Sequence, residues 1–148
     1  MSLQQRVTDD LKAAMLARDT ERLSTIRMLK SALGYAQIER KNENLSDAEV
    51  IALVQKEAKK RRDSIEQFEK GGRTDLADKE KKELAILEGY LPKALSLEEL
   101  EALVRAAIQE TSATTKKDMG LVMKAAQAKA AGRADGRAIS ALVLKLLP

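Results

Sequence analysis

The side chains with chemistry to offer are cations, and they crowd toward the C-terminal end. Residues 111–148 hold seven Lys or Arg against two Asp. Lys117, Lys124, Lys129, Arg133 and Arg137 are the candidates for holding a polyanion, because lysine and arginine neutralise phosphates and release their counterions. Lys117 and Lys124 fall two helical turns apart with Gly120 between them. A small residue there admits a sugar–phosphate backbone, or equally a crossing helix. Gly132-Arg-Ala-Asp-Gly-Arg137 has two readings. One is a phosphate site at a helix N-terminus, with Arg133 and Arg137 supplying charge. The other, preferred, is punctuation: Gly132 as a left-handed C-cap and Asp135 as the next N-cap, whose carboxylate would occupy the free N–H groups.

Other constellations are less decisive. Lys59-Lys-Arg-Arg62 reads as a solvated helix face. Within it, however, Arg61 falls on the apolar stripe between Val54 and Ile65. Glu80 falls on the stripe between Leu76 and Leu84. An interhelical ion pair is the expectation, since a lone buried charge is costly. Arg22-Leu-Ser-Thr-Ile-Arg-Met-Leu-Lys30 places Arg27, Ser24 and Ser31 beside another apolar stripe. That is either an anion-binding flank or a helix-packing face.

Much chemistry is excluded. Cys, His and Trp are absent, which removes thiolate nucleophiles, disulfides, Cys-ligated metals and the commonest general base and metal ligand. No phosphate-binding loop, dinucleotide fingerprint or nucleophile elbow occurs. No cofactor, metal or catalytic residue is expected. The first ten residues lack the apolar run of a signal peptide, and the longest apolar stretch, Val50-Ile-Ala-Leu-Val54, is far short of the roughly 20 residues of a membrane span. The expectation is a soluble, cytoplasmic protein with no membrane partner.

The elements that position these residues are helices. Apolar residues recur three or four apart almost throughout, with no convincing strict alternation. The stripes are Leu3-Val7-Leu11-Ala14, Leu23-Ile26-Leu29-Leu33 running towards Ile38, Val50-Val54-Ile65-Phe68, and Leu76-Leu84-Leu87-Leu91. Later come Leu100-Val104-Ala107, Met119-Met123-Ala126 and Ile139-Leu142-Leu146. Ser46 with Glu49 and Ser96 with Glu99 fit capping boxes, with Leu45–Val50 and Leu95–Leu100 at the staple positions. Thr115 with Asp118 is a weaker match. Breaks fall at Arg18-Asp19, Lys41-Asn-Glu-Asn44, Gly71-Gly72 and Gly89-Tyr-Leu-Pro92.

Pro92 disfavours helix at Leu91 and marks the domain boundary. The fold expected is all-α, with a four-helix unit over 1–92 and a small three-helix, tail-like unit over 93–148. Its three helices run from Leu97 to about Glu110, Asp118 to about Ala130 and Gly136 to about Leu147. The first unit carries 18 Lys or Arg against 17 Asp or Glu, the second nine against six.

The blocks Arg22–Lys30, Lys60–Phe68, Gly72–Ala77, Glu83–Pro92, Met119–Met123 and Gly132–Gly136, in this order, resemble the YqeY-like family over essentially the whole chain. That family is similar to the tail of the B subunit of the tRNA-dependent amidotransferase and to an N-terminal extension of some glutaminyl-tRNA synthetases. The resemblance implies two helical subdomains and a free-standing adaptor for tRNA or a translation protein. Alternatively it implies a component of a carbon–nitrogen ligase that uses glutamine as amide donor. It carries over no catalytic residue, because the Ser–Ser–Lys amidase arrangement and any thiol glutaminase are missing. Only three aromatics are present, Tyr35, Phe68 and Tyr90. RNA contact is therefore expected to be with backbone and shape rather than by base stacking.

Overall fold

A computed structural model describes residues 1–41 and 43–148. Asn42, inside the expected break at 41–44, lies outside the described residues. The described chain is helical with no strand: α1 (Leu3–Ala17), α2 (Thr20–Glu39), α3 (Asp47–Lys70), α4 (Thr74–Glu88), α5 (Leu97–Thr111), α6 (Met119–Ala130) and α7 (Gly136–Leu146). A single 3-10 turn at Lys116–Asp118 precedes α6. Two compact units divide the chain, Met1–Leu91 and Pro92–Pro148.

Helix starts obey local chemistry. Ser46 accepts the Glu49 N–H while the Glu49 carboxylate takes the Ser46 N–H, a complete capping box. Leu45 and Val50 flank it and are both buried, as the staple requires. At α5 only half the expected box forms. Ser96 accepts the Glu99 N–H, but the Glu99 carboxylate lies 3.7 Å from Arg133. Asp19 caps α2 through the Arg22 N–H, and Ser2 caps α1 through the Gln5 N–H. Arg18 ends α1 in the left-handed region at φ 55°, and Gly72 turns the chain after α3 at φ 72°.

The first core is aliphatic. Val7 and Ala14 of α1, Ile26, Leu29 and Leu33 of α2, Val50 and Val54 of α3, and Leu87 of α4 close on one another. The α2 stripe is buried as far as Leu33, but Ile38, where the spacing carries it, is 66% exposed. Helices α3 and α4 pack as an antiparallel pair along which Arg61 is buried. Its guanidinium meets three carboxylates: Glu83 at 3.3 Å, Glu57 at 3.4 Å and Glu80 at 3.8 Å. The interhelical Arg61–Glu80 pair read from the stripes is present. Glu83 and Glu57 join it, since one carboxylate takes at most a pair of the five N–H donors of a guanidinium. Arg61 Nε lies close to Glu83 and Glu80 without hydrogen-bond geometry to any partner. Burial first, and the neighbouring Glu83 charge second, push the Glu80 carboxyl above its ordinary range, with Arg61 opposing.

Tyr90 closes the other end of this unit. It is buried, donates to Asp10 at 2.6 Å, and stacks under the Arg6 guanidinium at 4.8 Å. Burial, and then the Asp10 carboxylate, raise the phenol well above its usual range. A raised acid in the folded state favours the native form at lower pH, and that contribution is lost as pH climbs past the ordinary tyrosine range. Tyr90→Phe is expected to cost about 1–3 kcal/mol, because the hydrogen bond is to a charged acceptor left partly buried. Urea titration of both proteins measures it, and equal midpoints would refute it.

Candidate nucleic-acid interface

The C-terminal unit is built on Leu100, Val104 and Ala107 of α5, Val122, Ala126 and Ala130 of α6, and Ile139, Leu142 and Val143 of α7. Three short amphipathic helices bury one face each and turn the cations outward. What each cation then meets decides what it can offer a ligand.

Lys129 is not available in the free protein, because its ammonium lies 2.9 Å from Glu110 across α5 and α6. Arg133 is structural as well. Its Nε donates to the Lys93 carbonyl at 2.9 Å, and the Leu95 N–H donates to the Arg133 carbonyl at 2.8 Å. Together these bonds hold the segment before α5 against the α6–α7 turn. Lys117 and Lys124 are exposed and have no carboxylate within 4 Å among the described residues. They do not share one helix as spacing alone implies. Lys117 sits on the 3-10 turn and Lys124 on α6, because Asp118 accepts the Thr114 and Thr115 N–H groups and tightens the chain just there. A Cβ on Gly120 would meet nothing within 4 Å. No crossing helix therefore requires that glycine, and the face between the two lysines is open.

The turn at 131–135 is punctuation, displaced by one residue from the position expected. Ala131, at φ 46°, is the left-handed C-cap of α6, and Gly132 follows it at φ 85°. Asp135 caps α7, accepting the Ala138 N–H at 2.7 Å. The carboxylate thus already occupies the helix N-terminus, and a phosphate there would meet like charge. Arg137 is exposed on the first turn of α7.

Both aspartates of residues 111–148 are consequently engaged by backbone N–H groups. Two of the cations that follow α5 are met by its carboxylates, Lys129 by Glu110 and Arg133 by Glu99. The spacing of the cations is visible in the sequence. Their division into structural and open ones is not, since the α5 carboxylates are contributed from distant positions. Among the described residues no group of three or more His, Cys, Asp or Glu is arranged to hold a metal. No described helix is long and apolar enough to cross a membrane.

Comparison with known proteins gives concordant relatives. The altered inheritance of mitochondria protein 41, mitochondrial, of Kluyveromyces lactis is 42% identical over 98 residues, covering 64% of this chain and 52% of that protein. The protein of the same name from Eremothecium gossypii is 37% identical over 108 residues, 71% of this chain and 58% of its own length. That of Pyrenophora tritici-repentis is 32% identical over 131 residues, 87% of this chain and 71% of that protein. The chain spans about half the length of the first of these relatives. They are mitochondrial by name, so they lend no support to the cytoplasmic location expected from the N-terminus. The family described as Yqey-like protein matches residues 4–147. With seven helices and no strand among the described residues, and a family match over residues 4–147, the chain belongs to the YqeY-like family.

Proposed function

We propose that the C-terminal unit is a non-catalytic tRNA-binding module that grips the sugar–phosphate backbone. The observation that carries the reading is the open face between Lys117 and Lys124, with nothing over Gly120 between them and the one intervening carboxylate, Asp118, turned to the Thr114 and Thr115 N–H groups. Arg137 extends the same charge from α7. Lys129 and Arg133 contribute only if phosphate displaces Glu110 and Glu99, a near-neutral exchange for ions that are themselves exposed. The same adaptor reading allows a translation protein in place of the tRNA, and binding of RNA discriminates between them. The family's kinship to the amidotransferase tail supports a tRNA ligand more than a share in the chemistry.

Charge reversal tests this directly. Lys117→Glu with Lys124→Glu is expected to weaken binding uniformly across tRNAs, because phosphate contacts position without reading sequence. The dependence of affinity on salt should flatten by roughly 0.7–0.9 in log–log slope for each phosphate no longer neutralised. Filter binding at low and physiological salt, with circular dichroism of each variant, measures both. A charge-reversed protein that binds as tightly as the parent would refute the reading, as would a parent without affinity at low salt. With ATP, glutamine and misacylated tRNA, the protein alone is expected to release no ammonia. The alternative, a component of a glutamine-using carbon–nitrogen ligase, requires turnover that a residue of this chain abolishes when mutated.

A further inference from the structure

Over its C-terminal half, helix α2 has a face that its own unit leaves uncovered. Ile26, Leu29 and Leu33 point into the core. On the opposite side Tyr35 and Ile38 stand 73% and 66% exposed, whereas the half-exposed Met28 is held within the unit, its sulfur accepting from the Arg61 guanidinium at 3.7 Å. Ser31, Tyr35 and Ile38 recur at intervals of four and three, the seam spacing of a helix that receives another helix.

Gly34, on the solvent side of the same helix, strengthens the point. Glycine is a poor residue for a helix interior. A Cβ there would meet nothing within 4 Å, and its φ is not left-handed. Nothing within the unit calls for it, whereas a backbone approaching from outside would. Ser31 is small and exposed on the same side.

Charge names the occupant. From Arg22 to Ile38 there is no Asp or Glu. Arg22 is turned to Asp10. Arg27 and Lys30 are exposed and have no carboxylate within 4 Å among the described residues. A second copy of the chain would bring the same carboxylate-free face and leave these cations unpaired. A nucleic acid would leave the apolar anchors without a use. We propose that the outer face of α2 docks an amphipathic helix of a partner protein, with Tyr35 and Ile38 as apolar anchors and Arg27 and Lys30 pairing with carboxylates along its border. This surface lies in the N-terminal unit and does not rest on the RNA reading of the C-terminal one.

The probe is a fluorescein-labelled model helix of about three heptads with Leu at the seam and Glu at the flanking positions. Its twin carries Lys at those positions. The full-length protein is expected to bind the Glu peptide at least about ten-fold tighter than the Lys peptide. Amide shifts in NMR should be confined to α2 and its neighbours. Tyr35→Ser with Ile38→Ser should weaken the Glu peptide by about ten-fold or more. Arg27→Glu with Lys30→Glu should invert the preference. All four positions are exposed, so the variants should melt close to the parent. The inference is overturned if the parent binds both peptides equally or neither, or if both double variants keep parental affinity. It is also overturned if tRNA displaces the Glu peptide from the Lys117→Glu, Lys124→Glu protein, which would assign the face to a polyanion. Loss of RNA binding in that last variant with peptide binding intact separates the two surfaces.

Discussion

Replacing Arg61 with methionine is expected to destabilise the N-terminal unit by about 3 kcal/mol, the low end of the cost of orphaning a buried ionic cluster. The methionine chain still fills much of the space between α3 and α4, so the loss is chiefly electrostatic. Glu57, Glu80 and Glu83, at 16–24% exposure, keep some access to water, and this holds the figure down. Glu57 keeps Lys60 at 3.4 Å, but Glu80 and Glu83 without their cation repel one another, and protonation relieves them. Glu80 is already raised in the parent.

A raised carboxyl binds its proton more tightly in the folded than in the unfolded chain. Stability therefore falls as pH rises through the folded value, and the variant's deficit should shrink on acidification through the carboxylate range. Urea unfolding followed by circular dichroism at several pH values measures both effects. Restoring neutrality by adding Glu80→Gln and Glu83→Gln should recover most of the loss. A deficit that grows on acidification, or a triple variant no more stable than Arg61→Met, would overturn this account.

Ile139→Ala should be more consequential for its size of unit. Ile139 is among the largest fully buried side chains of the C-terminal unit. Truncating it removes three carbons and leaves a cavity among Val104, Val122 and their neighbours, at a cost of about 2–5 kcal/mol. A unit of residues 92–148 has a stability of only about 3–9 kcal/mol at ~0.05–0.15 kcal/mol per residue. The variant is expected to lose much or all of the helical signal of α5–α7 near room temperature, while the N-terminal unit melts as in the parent. Resolved thermal melts and amide exchange separate the units. A single transition at the parental temperature would contradict the prediction. If RNA binding resides in the C-terminal unit, this variant loses it without any change of charge, in contrast to the Lys117 and Lys124 reversals, which should leave the fold intact.

Several features are legible in the sequence because they depend on neighbours within a turn or two. The Ser46–Glu49 box and the Asp135 cap each join residues three apart, and any helix that starts there brings them together. The apolar stripes likewise follow from a 3.6-residue period and fall on the helices of the described residues, with Leu91 beyond the end of α4. Even locally, rivals intervene. Glu99 leaves its box for Arg133, and Asp118 pulls Lys117 onto a 3-10 turn, separating it from the α-helix that carries Lys124.

What the tertiary structure alone decides are the pairings between helices. Arg61 and Glu80 share their stripes and can be matched. Glu83 enters the cluster because of the rotation of α4 about its own axis, which a stripe a third of the helix wide leaves undetermined. Tyr90 reaches Asp10 across 80 positions, and Arg133 reaches the Lys93 carbonyl across 40. The outer face of α2 is equally hidden: the spacing carries the apolar stripe on to Ile38, and only the packed core shows that Ile38 and Tyr35 stay uncovered. Periodicity tells that a residue is apolar and on a face. Only the offset and rotation of the neighbouring helices decide whether that face is covered, and whether a charge on it is neutralised within the fold or left for a ligand.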